Sequence, residues 1–230
     1  MNVNWERLWR MNGVNFVVFF IIAYIVYGDQ PKVGASADKL VSFYDGDRTR
    51  VLIATVIFGL AVLNLLWFAA AIASALRDAG QGGWGSAATA ASAALGAVFF
   101  VIIIVGAGLA YSIAGSGNDA LTSGLNDLSW VCMVIASFPA AMLIMAGSFG
   151  LWRAGMISTA PFQAGVAAVV LVLLGGTTWA SDGFWAPDGA YSRFISPIIA
   201  LGWIAAVSWF LAMRAPATER APERQAMPAR

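Results

Sequence analysis

Six runs of apolar residues, separated by shorter stretches that hold most of the charged side chains, dominate the pattern of this sequence. Each run is close to the length of about 20 residues that an α-helix needs to cross a hydrocarbon core. The runs do not alternate with period two, and they are too long for the roughly 10-residue strands of a membrane barrel. The pattern therefore predicts an all-α bundle of about six transmembrane helices, at residues 9–27, 51–76, 89–113, 128–152, 160–180 and 194–213.

Composition supports this prediction and excludes several kinds of cofactor, catalytic site and partner. Of the 230 residues, 60% are hydrophobic and 11% are charged, whereas soluble domains average about 25% charged residues. The formal net charge of +1 argues against a nucleic-acid partner, because nucleic-acid-binding domains are usually strongly basic. The chain has no histidine and one cysteine, Cys132. Histidine-ligated haem or zinc, histidine-dependent catalytic triads and an intrachain disulfide are therefore excluded, and no cofactor is expected.

The distribution of basic residues predicts the orientation. Eight fall on one side of a six-span bundle and five on the other, and the excess marks the cytoplasmic side. The larger group is Arg7, Arg10, Arg77, Arg153, Arg214, Arg220, Arg224 and Arg230. The smaller group is Lys32, Lys39, Arg48, Arg50 and Arg193. Both termini are expected in the cytoplasm, with residues 1–214 as one transmembrane domain and 215–230 as a disordered tail.

A second interpretation of the first span stays open. Its basic start and apolar stretch are followed by Ala35-Ser36-Ala37, which matches a signal-peptidase site. Cleavage after Ala37 would leave five spans and an amino terminus outside the cell.

The interiors of the predicted spans are almost free of reactive groups. No Asp, Glu, Lys or Arg lies in the middle of any span, although proton-coupled transporters and voltage sensors need such residues. The candidate positions that remain are Asn64, Asn15, Ser137 and Pro139. Asn64 is expected to hydrogen-bond across helices or to line a cavity, and Pro139 to kink its helix.

The first external loop, residues 28–50, predicts a short helix from about 37 to 45 with Ser36 as its cap. Leu40, Val41, Phe43 and Tyr44 would form its apolar stripe. That stripe is expected on the membrane surface or over the end of the bundle, and a partner-binding helix is the alternative. Asp45-Gly46-Asp47 lacks the later ligand positions of a calcium loop, so it indicates a turn.

Two further loops differ in character. The glycine-rich stretch 78–86 predicts a flexible linker. The last external loop, residues 181–193, mixes charged and aromatic residues and is interpreted either as a lid over a cavity or as an interfacial turn. The candidate lid residues are Asp182, Trp185, Asp188, Tyr191 and Arg193.

Small residues four positions apart indicate close helix packing. The pairs are Ser92 with Gly96, Ala136 with Ala140, and Ala146 with Gly150. Their spacing leaves open whether the packing partner belongs to this chain or to another.

Several stretches carry a resemblance to a known family. They are Ser36-Ala37-Asp38-Lys39-Leu40 through Phe43-Tyr44 with Arg48 and Arg50, Leu125-Asn126-Asp127-Leu128-Ser129, Ser137-Phe138-Pro139, and Leu151-Trp152-Arg153-Ala154-Gly155. Together they resemble a domain-of-unknown-function family of small six-helix membrane proteins from actinobacteria. The sequence departs from that family after Ser158. The resemblance implies a six-helix architecture in a bacterial cytoplasmic membrane, and it implies no activity.

These features favour a protein that is not an enzyme and that acts through helix packing, as a scaffold or accessory subunit. Its expected partners are the lipid bilayer and either another membrane protein or further copies of itself. The alternative is a carrier or channel for a small neutral or lipid-like substrate. An exposed face of small residues would favour the subunit, and a sizeable polar-lined cavity would favour the carrier.

Overall fold

The computed structural model describes residues 5–214, and these residues fold into helices without any strand. The predicted tail at 215–230 lies outside the described residues. The eight α-helices are α1 (Trp5–Arg10), α2 (Asn12–Tyr27), α3 (Ala37–Val41), α4 (Arg48–Asp78), α5 (Gly82–Gly108), α6 (Asp119–Arg153), α7 (Thr159–Gly175) and α8 (Ser196–Met213). Single π-helical turns extend three of them, at Ser42–Gly46, Leu109–Ile113 and Tyr191–Ile195.

Four helical stretches are long and apolar enough to cross a membrane. They are Arg48–Asp78, Gly82–Ser116, Asp119–Arg153 and Tyr191–Met213. Helices α2 and α7 are equally apolar but shorter, at 16 and 17 residues. The predicted all-α class is thereby confirmed, and four of its helices are long and apolar enough to span a membrane.

Helix boundaries depart from the predicted ones where local contacts intervene. The linker predicted at 78–86 is wrong in its second half, because α5 begins at Gly82. Gly85 permits this tight hairpin, since a Cβ there would lie 3.1 Å from the Ala73 backbone. Helix α6 starts nine residues before the predicted 128, because the Asn118 side chain accepts a hydrogen bond from the Leu121 amide at 3.1 Å.

The core lies between α2, α4, α5 and α6, with α8 packed on α2 and α7 placed at the edge against α6 and α8. Large buried side chains fill it, including Phe16, Leu65, Phe68, Ile72 and Leu143. Helix α7 buries only Gly165, Val172 and Gly175, as expected for a helix at the edge of the bundle.

Contacts between helix termini define two ends of the bundle. At one end the Ser208 hydroxyl donates to the Arg10 carbonyl at 2.7 Å and accepts from the Val14 amide at 3.1 Å. Because Arg77, Arg153 and Arg214 also close their helices on this side, we call it the arginine end. The opposite end holds the connections 28–47, 114–118 and 176–195, and we call it the cap end.

Candidate functional site

The segment between α2 and α4 covers the cap end. Leu40 and Tyr44 are fully buried and Phe43 nearly so, in a second apolar cluster with residues of α4 and α5 such as Val51 and Leu109. The structure therefore selects, among the three predicted placements of this stripe, the one over the end of the bundle. The predicted side-chain cap by Ser36 is wrong, since that side chain makes no capping bond and is exposed.

Polar side chains of α6 hold this cap in place. The Tyr44 hydroxyl donates to Asn126 Oδ1 at 2.9 Å, and Asn126 Nδ2 donates to the Lys32 carbonyl at 3.2 Å. One turn further, Gln30 Nε2 donates to Ser129 Oγ at 2.6 Å, and Trp130 Nε1 donates to the Pro31 carbonyl at 2.9 Å. Burial raises the pKa of the Tyr44 hydroxyl far above its ordinary value, so it remains a donor.

Beneath the cap lies a cavity of about 100 Å³ between α2, α4, α5 and α6, which we call the outer cavity. Its polar lining consists of Tyr24, Tyr27, Gln30, Thr55 and Arg193. Binding sites for drug-sized molecules enclose about 300–1,000 Å³. The outer cavity is therefore large enough only for water or a very small solute.

Arg193 connects the outer cavity to two other elements. It forms an ion pair with Asp29, and its Nε donates to the Tyr24 hydroxyl at 3.2 Å. Its guanidinium carbon lies 5.8 Å from the centre of the Trp130 ring and 5.2 Å from that of Phe194. These contacts satisfy the charge, because the ion pair and the aromatic faces surround it.

The other predicted lid residues lie on the α7–α8 connection and do not border the outer cavity. The Tyr191 hydroxyl donates to the Leu171 carbonyl at 2.7 Å, and Trp185 Nε1 donates to the Thr177 carbonyl at 2.9 Å. The two rings pack 4.5 Å apart. Asp182 is exposed and Asp188 is half-buried. The loop therefore closes its own hairpin, and Arg193 is its sole contribution to the outer cavity.

The predicted intramembrane positions are not brought together. Asn64 Nδ2 donates to the Leu60 carbonyl of its own helix at 2.8 Å, so this bond does not cross to another helix as predicted. Asn15 is exposed, and α6 continues as a helix through Pro139. Ser137 is buried and lines a central cavity of about 50 Å³, which shares Phe20 and Met133 with the outer cavity.

Sequence reasoning missed a larger concavity, a groove of about 720 Å³ between α6, α7 and α8. It extends from Ile198 and Ile199 of α8 past Trp203 to the arginine end, where Ser158 and Arg214 line it. The signal that would have revealed it is the small residues on its two walls, which are four apart on each helix. They are Ala164 and Ala168 on α7, and Gly202 and Ala206 on α8.

The small-residue pairs singled out in the sequence pack within this chain. All six residues are buried, and a Cβ at Gly150 would lie 2.6 Å from Leu76 Cδ1. A different set of small residues on α5 faces outward and is exposed. This exposed α5 stripe is Gly83, Ser86, Ala90, Ala93 and Ala97.

Within residues 5–214, no three His, Cys, Asp or Glu side chains come together as metal ligands would. No protein-family model, curated protein or solved structure matches the chain. The resemblance to the actinobacterial family therefore stays a prediction, and a function has to be inferred from the geometry.

Proposed function

We propose that this chain is a multi-pass protein of a bacterial cytoplasmic membrane, with six spans and both termini in the cytoplasm. We further propose that it is not an enzyme and serves as an accessory or scaffold subunit, binding another membrane protein or a second copy of itself through the exposed α5 stripe. The observation that carries the proposal is the outward-facing row of small residues on that helix.

Two features support the six-span arrangement. Helices α2 and α7 each run between the arginine end and the cap end, as the four longer helices do. Their 16 and 17 residues correspond to roughly 25 Å of helix, close to the hydrocarbon thickness of about 30 Å. The basic residues that close α4, α6 and α8 then lie on one side of the membrane, which fits a cytoplasmic arginine end.

The spacing of the α5 stripe supports a helix partner. Its members follow one another at intervals of three and four residues, the a and d spacing of two helices packed side by side. The row from Gly83 to Ala97 is roughly 21 Å long. Small side chains allow a second backbone to approach closely and gain van der Waals contact.

The neighbouring helix α4 presents a different outward surface. On the neighbouring α4, the outward residues are bulky, including Val56, Leu60, Leu63 and Trp67. Bulky side chains fill the contact with lipid tails, whereas a row of alanines leaves a shallow channel along the helix. A helix with larger side chains fits that channel, so the stripe favours a protein partner over lipid.

The test is to block the stripe and measure association in nanodiscs. Ala90→Leu and Ala93→Leu are each expected to abolish the dimer. If the partner is another membrane protein, each variant is expected to lose its stoichiometric co-purification in mild detergent. Ala167→Leu is the matched control, because Ala167 is an exposed alanine on α7. A protein that is monomeric and partnerless before substitution, or that keeps its partner with both α5 variants, would contradict the proposal.

The carrier is the second candidate, and one observation favours it. The outer and central cavities share Phe20 and Met133, so together they extend from beneath the cap to the middle of the bundle. Transport of a small neutral solute into proteoliposomes, lost on Met133→Trp, would support the carrier in place of the subunit.

A further inference from the structure

The groove between α6, α7 and α8 is shaped to hold one flexible apolar chain. Its volume of about 720 Å³ falls in the range of about 300–1,000 Å³ that is typical of ligand sites. Leu151, Ile157, Ile199, Val207 and Phe210 form apolar walls along it. Its outer side is open, because Ala164, Ile198, Gly202 and Ala206 are all exposed.

Trp203 packs against α6 at the floor of the groove. Its Nε1 donates to Ser148 Oγ at 3.0 Å, and its ring lies so close to α6 that a Cβ on Gly147 would be 2.4 Å from it. Nearby, a Cβ on Gly165 would lie 2.2 Å from Ser148 Oγ. Helices α6 and α7 therefore touch here. The groove continues on both sides of this contact, to Ile198 and Ile199 toward the cap end and to Arg214 at the arginine end.

The mouth of the groove carries positive charge. Arg214 lines it, with its guanidinium carbon 4.4 Å from the centre of the Phe210 ring. Within residues 5–214, Arg214 has no carboxylate at ion-pairing distance. A negatively charged group at this mouth would therefore be able to pair with the Arg214 guanidinium.

We propose that the groove binds one anionic phospholipid from the leaflet at the arginine end. One acyl chain lies along the apolar walls toward Trp203, and the phosphate contacts Arg214. The charge at the mouth selects an anionic over a zwitterionic headgroup. This site rests on the proposed membrane placement, but it is separate from the exposed α5 stripe and does not require the subunit role.

The test uses the full chain in nanodiscs containing equal amounts of phosphatidylglycerol and phosphatidylcholine with identical acyl chains, followed by native mass spectrometry. We expect one retained phosphatidylglycerol per chain. Arg214→Gln should lower the bound ratio of phosphatidylglycerol to phosphatidylcholine about tenfold, the scale of a hydrogen bond to a charged group. Gly202→Trp should remove both lipids by filling the groove.

Controls separate loss of the site from loss of the fold. A Cβ on Gly202 meets no atom within 4 Å, and the same holds for Gly59 on α4. Gly59→Trp should therefore keep the lipid, and both glycine variants should unfold at the wild-type temperature. Should Gly202→Trp destabilise the fold, Ala206→Leu repeats the test with a smaller side chain.

Three results would overturn the proposal: equal retention of the two lipids by the wild type, retention by both filled-groove variants, or lipid binding only after deletion of residues 218–230. The last result would mean that the chain's own tail occupies the groove. Failure of the α5 association test leaves all of these lipid measurements interpretable, because they do not depend on oligomer formation.

Discussion

The Tyr44 hydroxyl donates a hydrogen bond to the side-chain oxygen of Asn126 across 2.9 Å, although the two residues are 82 positions apart in the chain. Both side chains are fully buried. The bond joins the segment after α2 to the first half of α6, and it is one of several polar contacts between the cap and that helix.

Removing that donor is expected to weaken the cap. Tyr44→Phe keeps the ring but leaves the Asn126 oxygen without this partner in a buried site, which costs about 1–3 kcal/mol. Thermal unfolding in detergent should show the loss. Tyr111→Phe is the control, since Tyr111 is 66% exposed and its ring beneath Arg48 is retained. Equal unfolding temperatures for the two variants would contradict this account of the cap.

Close packing at the arginine end predicts opposite outcomes for two glycines. A Cβ on Gly13 would lie 2.6 Å from Ser208 Cβ and 2.7 Å from Phe68 Cδ2, so Gly13→Ala should destabilise by about 1–3 kcal/mol through overpacking. Gly59 has open space around it, and Gly59→Ala should stabilise by up to about 1 kcal/mol through helix propensity. The same unfolding assay checks both signs, and a neutral Gly13→Ala would show that α2 and α8 separate easily.

The ion pair between Arg193 and Asp29 is expected to contribute little on its own. Asp29 is 84% exposed whereas Arg193 is 14% exposed, so solvent screens their attraction, and a double-mutant cycle should give roughly 0.5 kcal/mol of coupling. Arg193→Gln should cost more than Asp29→Asn, because it also loses the Tyr24 hydroxyl and the face of Trp130. The ranking fails if the two single variants unfold at the same temperature.

The six-span arrangement predicts which surface positions share a side of the membrane. Asp78 is the last residue of α4 and Asp119 is the first residue of α6, so they lie beyond opposite ends of α5 and its extension. Both residues are exposed. In a Cys132→Ser background, Asp119→Cys should react with an impermeant thiol reagent added outside intact cells. Asp78→Cys should react only after the cells are opened. Labelling of both cysteines in intact cells would rule out the arrangement.

The features that could be predicted from the sequence are those set by residues close together in the chain. Apolar run length is a local property, so the six long helices could be predicted, although α5 and α6 begin seven and nine residues before their predicted starts. The stripe of Leu40, Phe43 and Tyr44 is also a local pattern, but the surface against which it packs is formed by residues distant in the chain. Only the fold brings Asn126 next to Tyr44, and three placements of the stripe therefore stayed open until the structure placed it.

In the candidate site too, the residue types were visible in the sequence, whereas their contacts were not. A mid-span asparagine needs an acceptor, but sequence does not say which one, and Asn64 uses the Leu60 carbonyl within its own helix. The groove is formed by residues of α6, α7 and α8 together, and no residue pattern in one helix states how the three helices are arranged. Arginine at the end of α8 was visible in the sequence, whereas its position at the mouth of a groove was not.

The cap has a consequence for biosynthesis. Ribosomes deliver Leu40 and Tyr44 long before Asn126, so the cap emerges before the helix that anchors it exists. Until α6 is inserted, Tyr44 lacks its Asn126 acceptor, and the apolar side chains of the cap lack part of their enclosure. Closure of the cap therefore has to wait for the synthesis of α6.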